Sequence, residues 1–461
     1  MYDPGTGHDG PPSESLMSGT NARLALSIAI NSCASVSCFD KVEFISMDVN
    51  TAAVASPPAT VMGIGRAQFI AIVASLMALN ALAIDIMLPA FPNIQSDLGI
   101  ADANSVQYIL LSYIIGFGGA QLFFGPVSDR FGRRAPLFFG IALYAICSLA
   151  GALAPSFEFL LITRFLQGVG AAATRVIAIS VVRDTHSGRG MAATMSLVMM
   201  VFMVVPVFAP MIGQVIILAG DWHLIFVFMA LVSLFVGLWA LLRLPETLDT
   251  ENRRPLTTKS IREAFAIVLT NRIALFYTLA TSFYFGSLFG FLNVAQPIYV
   301  DLYGLGAYFP VAFAAVAVVM AGSSFVNSRL VGRFGQRRLS HGALLGYFVL
   351  SLVLVGLTAM GPIPFWLFFG ISMLMMPLFG FVGSNFNSIA MEPLGAIAGT
   401  ASSTLGFAQT VGGGIVGAMI GQAFDGTVFP LAAGYAMVSA ISLLMVLIAE
   451  KGRLFGVGAQ N

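Results

Sequence analysis

Twelve apolar segments, each about the length of a bilayer-crossing helix and separated by short polar turns, leave this chain few folds. They run over approximately 67-90, 106-125, 135-154, 157-182, 192-218, 223-243, 272-297, 307-328, 340-359, 363-389, 398-422 and 430-450. A bilayer accepts such segments as helices, because a helix satisfies its own backbone hydrogen bonds where no water is at hand. With 58% hydrophobic and 9% charged residues, the chain lies far from soluble usage. It is read as an all-α polytopic membrane protein. The net charge of +1 is carried by sparse charges sorted by membrane side, which excludes a nucleic-acid role.

The sorting sets an expected orientation. Placing the N-terminus in the cytoplasm gives the inside loops Arg66; Arg130, Arg133 and Arg134; Arg183 and Arg189; Arg243 through Arg272; Arg329 through Arg338; and Lys451 and Arg453. The outside loops and adjoining span ends carry Asp97, Asp102, Glu158, Asp221, Asp301, Asp425 and His223, with no Lys or Arg. By the positive-inside rule this predicts an inner (plasma) membrane protein with both termini cytoplasmic. Trp222 and Trp366 are placed at outer ends and Trp239 near an inner end, as interfacial rings.

Residues 1-65 are polar and Gly/Ser-rich, with one apolar run, Leu24 to Ile30, too short to span. They are expected to be disordered, and Met47 or Met62 would serve as a start omitting most of them. The expected divisions are then a six-helix bundle over 66-243, a cytoplasmic linker over 244-271, a second six-helix bundle over 272-450 and a tail over 451-461. Within the linker, Ser260 to Leu269 reads as a short amphipathic surface helix. Cys33, Cys38 and Cys147 have neither pairing logic nor metal-ligand spacing.

Between the second and third segments stands Gly125-Pro-Val-Ser-Asp129-Arg130-Phe-Gly132-Arg133-Arg134. A degraded copy, Gly332 to Arg338, follows the eighth. Six plus six spans with such turns resemble the major facilitator superfamily, and the first turn matches its loop motif. Arg164-Phe-Leu-Gln167-Gly168-Val-Gly170 matches its Arg-x-x-Gln-Gly motif. Ala83-Ile84-Asp85 with Leu88-Pro89-Ala90 looks like the drug-exporter signature, and with Gly118 to Gly125, Arg183-Asp184 and Gly399 to Gly406 the pattern is most similar to the Bcr/CflA drug-resistance subfamily. The resemblance implies a major facilitator fold, twelve transmembrane helices in two pseudo-symmetric six-helix bundles, and drug export against a proton gradient. The fifth span departs from the family. Around Pro206, Ala209, Pro210 and Gln214 it carries one glycine, Gly213, so close packing there is less assured.

The ionisable residues well inside spans are Asp85, Arg164 and Arg175, and an intramembrane charge marks function by default. Asp85 and Arg164 lie at a common depth of roughly 8 to 10 Å from the outer ends. The pair reads either as a proton-coupling site, protonated according to conformation and bound substrate, or as a fixed ion pair locking spans one and four. Arg175 is roughly 16 Å deeper than Arg164 and lines a cavity or snorkels to the interface. Gly125, Asp129, Arg130, Gly132, Arg133 and Arg134 read as a conformational gate. Asp129 is expected to cap another helix and to pair with Arg residues, holding the halves together on the cytoplasmic side, a clasp associated in the superfamily with the outward-open state. The second copy lacks the aspartate, since Gly332 stands there, so its clasp is expected to be incomplete. A substrate cavity is expected near the midplane, among Asn80, Tyr113, Gln121, Gln167, Arg175, Tyr284, Phe289, Asn293, Gln296, Asn385 and Gln409, with Phe285 and Phe291 nearby. Asp184 and Glu392 are the alternative proton carriers at the cytoplasmic mouth.

The set describes a largely neutral, amphipathic cavity suited to small drugs. The rival reading is a proton-coupled exporter of one native metabolite, such as an amino acid. An enzyme is not indicated: His8, His186, His223 and His341 are scattered, and no helix pairs His with Glu or Asp at ligand spacing. Gly412-Gly413-Gly414 lacks the Lys of a phosphate loop. No cofactor is expected, and the partners expected are drugs or metabolites, protons and lipid around a monomer.

Overall fold

The computed structural model describes residues 60–456 except 62, 187, 249 and 254–265. Side chains at 60–61, 188–193, 196–197, 199–204, 252 and 395–401 also lie outside the described set. Twelve long helices are present among these residues: α1 Arg66–Asp85, α2 Tyr108–Phe131, α3 Arg134–Gly151, α4 Phe157–Thr185, α5 Gly188–Ala219, α6 His223–Arg243, α7 Arg272–Gln296, α8 Phe309–Phe334, α9 Gln336–Ala359, α10 Phe365–Met391, α11 and α12 Phe429–Ala449. The α11 helix is built from Ala398–Phe407, a π turn at Ala408–Gly412 and Gly413–Gln422. Eleven have the length and hydropathy to cross a membrane, and α5 contributes the shorter apolar stretch Val205–Ala219. Every expected span is found, with ends shifted by a few residues.

Most of the expected unstructured extension lies outside the described residues. Its last part forms a minimal hairpin, Thr60–Val61 against Ile64–Gly65. The expected linker helix, Ser260 to Leu269, falls largely outside as well, with residues 266–270 helical. Arg189, Arg254, Lys259 and Arg262 are likewise not described.

Small residues set how closely the helices approach. A Cβ added to Gly116 of α2 would stand 2.0 Å from the Phe165 carbonyl oxygen of α4, and one on Gly168 of α4 would stand 2.2 Å from that of Tyr113. Backbones meet here directly, as they do where membrane helices associate without a hydrophobic drive. The two six-helix halves meet along α2 and α11, and again along α5 and α8. In the α2–α11 seam Gln107 faces Gly421, Ile114 faces Gly414, Gln121 faces Gly406 and Gly125 faces Ser403.

The first span is broken. Helix α1 stops at Asp85, a 3-10 turn follows at Leu88–Ala90, and a second short helix runs over Phe91–Asp97. Pro89 lacks the N–H that would have bonded the Asp85 carbonyl, which explains the break. Gly213 of α5 packs against it: a Cβ there would lie 2.2 Å from the Ile86 carbonyl oxygen. The single glycine of the fifth span therefore secures the close packing that its sequence left less assured. Trp222 stands at the start of α6, the end expected for it, but is enclosed by protein. It is 1% exposed, and its Nε1–H donates to Asp97 at 3.1 Å, whereas Trp366 is 77% exposed.

Gly213→Ala is expected to lower the thermal midpoint of the purified protein through an overpacking penalty of about 1–3 kcal/mol. Gly119→Ala, where no atom lies within 4 Å of the added Cβ, should leave it unchanged or raise it through the better helix propensity of Ala. Equal midpoints for the two variants would refute the packing role of Gly213.

Candidate functional site

The Gly125–Arg134 stretch closes on Arg133. Gly132 turns the chain at φ 89° between α2 and α3, and Arg133 beside it is 2% exposed. Its Nε and Nη2 donate to Asp184, at the end of α4, at 2.7 and 3.2 Å. Its Nη1 donates to Asp129 at 2.6 Å and to Ser128 at 2.8 Å. Burial works against the charge, but the Asp184 and Asp129 carboxylates more than offset it and hold the guanidinium above its usual range.

Glu246, just beyond α6, completes this junction. Its Oε1 accepts from the backbone N–H of Arg133 at 2.8 Å and from Thr247 and Leu248, both at 3.1 Å. Its Oε2 accepts from the Arg134 N–H at 3.1 Å. The carboxylate thus satisfies donors that the start of α3 leaves open. Burial pushes the Glu246 carboxyl up, and the four N–H groups outweigh it and hold it below the usual carboxylate range. Gly132 is required twice over, since a Cβ there would also lie 2.7 Å from Glu246 Oε2. Arg134 donates to the Leu244 and Leu241 carbonyls at the end of α6, and Arg130 is exposed.

Asp129 pairs with Arg residues, as expected, but within its own half. Its described partners, Arg133 and Arg183 at 4.0 Å, both belong to the first half, so the loop binds α2, α3, α4 and the end of α6 to one another. The nearby approach between halves is instead Gly125 against Ser403. The second clasp, expected to be incomplete, is built without an aspartate at 332. Arg337 donates to Glu392 at 3.2 and 2.9 Å and to Glu450 at 2.7 Å. Glu392 follows α10 as Asp184 ends α4.

Asp85 and Arg164 come close along the chain path but do not pair. Arg164 is fully buried; its Nη1 donates to Gln167 at 2.6 Å and its Nη2 to the Ala83 carbonyl at 2.8 Å. It lies over the Tyr113 ring at 4.6 Å. The fixed ion pair is therefore replaced by a bond to the backbone two residues before Asp85. Asp85 is 4% exposed, and among the described residues its carboxylate has no hydrogen-bond or ion-pair partner. This buried carboxylate stands where α1 breaks.

The expected cavity residues divide. Asn80 accepts from the Tyr113 hydroxyl at 3.0 Å, and Gln167 donates to Ser148 at 2.7 Å, so with Arg164 they form an interhelical network inside the first half. Asn385 donates to Asn327 at 2.8 Å within the second half. Tyr284 is buried, stacked on Phe379 and edge-on to Tyr347, with its hydroxyl unpartnered among the described residues. Gln121, Asn293 and Phe289 face glycines of α11, namely Gly406, Gly421 and Gly417. Gln409, in the α11 π turn, donates to Asn387, and Gln296 is buried at the end of α7. Arg175 is half-buried over the Phe117 ring at 5.7 Å.

The sequence profile of the Major Facilitator Superfamily matches residues 73–418. The chain belongs to that superfamily. It is 34% identical over 350 residues to an uncharacterized MFS-type transporter, YdgK, of Bacillus subtilis (strain 168), covering 75% of this chain and 86% of the relative. It is 32% identical over 365 residues to a bicyclomycin resistance protein homolog of Haemophilus influenzae, covering 79% and 91%. Multidrug resistance protein MdtL of Escherichia coli O127:H6 is 30% identical over 388 residues, covering 82% and 95%. Among solved structures, a mutant of the nucleoside transporter NupG superposes with TM-score 0.65 at 13% identity, covering 84% of this chain and 99% of that one. The human organic anion transporter MFSD10 gives 0.57 at 18%, covering 83% and 99%. These two bear on the fold alone. The relatives agree with the drug-resistance resemblance read from the motifs.

In this facilitator the sequence reading missed Glu246, Glu450 and Ser148. Glu246 stood in view at the start of the linker, but its partners lie 112 and 113 residues earlier, a separation no local pattern reveals. Because its carboxyl is held low, its stabilisation is present above the ordinary carboxylate pKa and lost as pH falls through the lowered value. Glu246→Gln is expected to lower the thermal midpoint near pH 7 by the equivalent of a lost helix cap, about 1 kcal/mol. That gap should narrow as pH falls below the ordinary carboxylate value of about 4.3 and vanish only below the lowered one. A gap independent of pH would show that the charge does not matter.

Proposed function

We propose that this chain is a proton-coupled antiporter that exports small amphipathic drugs from the cytoplasm by alternating access. Drug export rests on the bicyclomycin- and multidrug-resistance relatives. Proton coupling rests on Asp85. A carboxylate in hydrocarbon needs a partner or a proton. Asp129 and Asp184 are matched to Arg133, and Glu392 and Glu450 to Arg337, whereas Asp85 is buried without such a match among the described residues. That contrast makes Asp85 the carboxylate free to take and release a proton, and sets aside Asp184 and Glu392.

Arg164 serves this site as a positioning residue. By holding the Ala83 carbonyl it fixes the last turn of α1, and its permanent charge makes it no proton carrier. The Arg-rich turns face the cytoplasm, with both termini on that side of the inner membrane. The bundles span 66-243 and 272-450, joined by 244-271. The Gly125–Arg134 loop, with Asp129 and Arg133, is the conformational gate at that face. Gln121, Phe289, Asn293 and Gln409, which face the seam or its π turn, contribute to the substrate path.

Asp85→Asn should abolish drug-induced proton release and proton-driven efflux in reconstituted vesicles while the protein still inserts and folds. Undiminished coupled export by the variant would refute the assignment. A membrane-impermeant thiol reagent added outside sealed cells should label a cysteine at Asp221 but not one at Arg130, both exposed positions, and labelling at Arg130 would reverse the topology.

A further inference from the structure

At the end of the molecule opposite the Arg-rich turns, the two halves are joined by a polar seam. The Asn104 side-chain amide donates to the Gln422 and Phe424 carbonyls at 3.3 and 2.8 Å, and Gln422 Nε2 donates back to the Asn104 carbonyl at 2.7 Å. One layer deeper, Gln107 Nε2 donates to the Gly421 carbonyl at 3.1 Å. Gly421 permits this approach: a Cβ there would stand 1.9 Å from Gln107 Oε1 and 2.9 Å from Asn293 Cβ. Gln107 and Asn293 are thus neighbours across the seam, one on the approach to α2 and one on α7.

Both are 3% exposed, yet among the described residues Gln107 Oε1 and Asn293 Oδ1 have no hydrogen-bond partner. A buried amide oxygen left unpaired costs free energy, so two of them side by side between moving halves is an arrangement that favours a donor when the seam parts. No carboxylate joins them among the described residues. Asp97 is taken by Trp222, and Asp102 bonds Asn104 N and Ser105 Oγ in its own turn. Neutral amide oxygens without a carboxylate select N–H or O–H donors in preference to fixed cations.

We propose that Gln107 and Asn293 form a release-side subsite for a hydrogen-bond-donating group, an amide or hydroxyl, of the outgoing substrate. The Asn104–Gln422 pair is the latch that closes over it. This rests on the export reading above, and Gln107, Asn104 and Gln422 lie outside the expected cavity set.

The test compares chloramphenicol, which carries an amide N–H and hydroxyls, with tetraphenylphosphonium, which has neither, for efflux from vesicles and for the rise each gives in the thermal midpoint of the purified full chain. Gln107→Leu and Asn293→Leu should each lower chloramphenicol efflux about tenfold relative to tetraphenylphosphonium, the scale of one lost hydrogen bond. Asn104→Ala, which loosens the latch only, should alter both compounds alike. Equal loss of both compounds in the Leu variants, or unchanged chloramphenicol efflux, overturns the subsite. If the wild type exports neither compound, the export reading fails and the midpoints decide. Stabilisation by chloramphenicol in the wild type but not in the Leu variants supports the subsite, and its absence in the wild type or persistence in the variants overturns it.

Discussion

A guanidinium with almost no access to solvent organises each half of this transporter. Arg133 cannot lose its charge, and burying it unpaired would be prohibitive, so the chain must bring carboxylates to it. Asp129 supplies one from the last turn of α2, just before the Gly132 bend, and Asp184 supplies another from the end of α4. Glu246 then binds the backbone of the same turn. Four elements far apart in sequence are tied at one point because each satisfies part of a single electrostatic demand. The second half meets the same demand at Arg337 with Glu392 and Glu450, which is duplication of the physical solution although the motif itself has decayed.

Where these charges are fully matched they hold structure, and where matching stops the structure has somewhere to move. Asp85 lies at a helix end created by Pro89, with Gly213 of α5 pressed against the break. Irregular backbone at this depth is tolerated only inside protein, and here it is enclosed. The π turn of α11, beside α2 at the seam between halves, and the π segment Pro297–Leu302 after α7, packed within the second half, are further departures from regular helix. Such bulges recur at functional positions in helices. The ion-pair clusters therefore read as ties that let each half move as one body at the proposed cytoplasmic gate, and the broken spans as the parts that respond to a proton or a substrate.

Much of this was determined by the sequence alone. Twelve spans, two halves and a superfamily were legible because a bilayer imposes a length on every crossing helix, and because the glycine-and-arginine turn is a local motif. Asp85 and Arg164 stood out because ionisable residues within apolar runs are rare. Only the tertiary structure decided what those residues touch. It gave Arg164 to the Ala83 carbonyl in place of Asp85, turned Asp129 toward its own half, buried Trp222, and brought Glu246 to the start of α3. It also divided the polar candidates into networks within a half and groups along the seam. The reason is physical: membrane insertion is read from short-range hydropathy, residue by residue along the chain. The partner of a buried polar group is settled by which helices pack side by side, and at what distance glycine lets them meet.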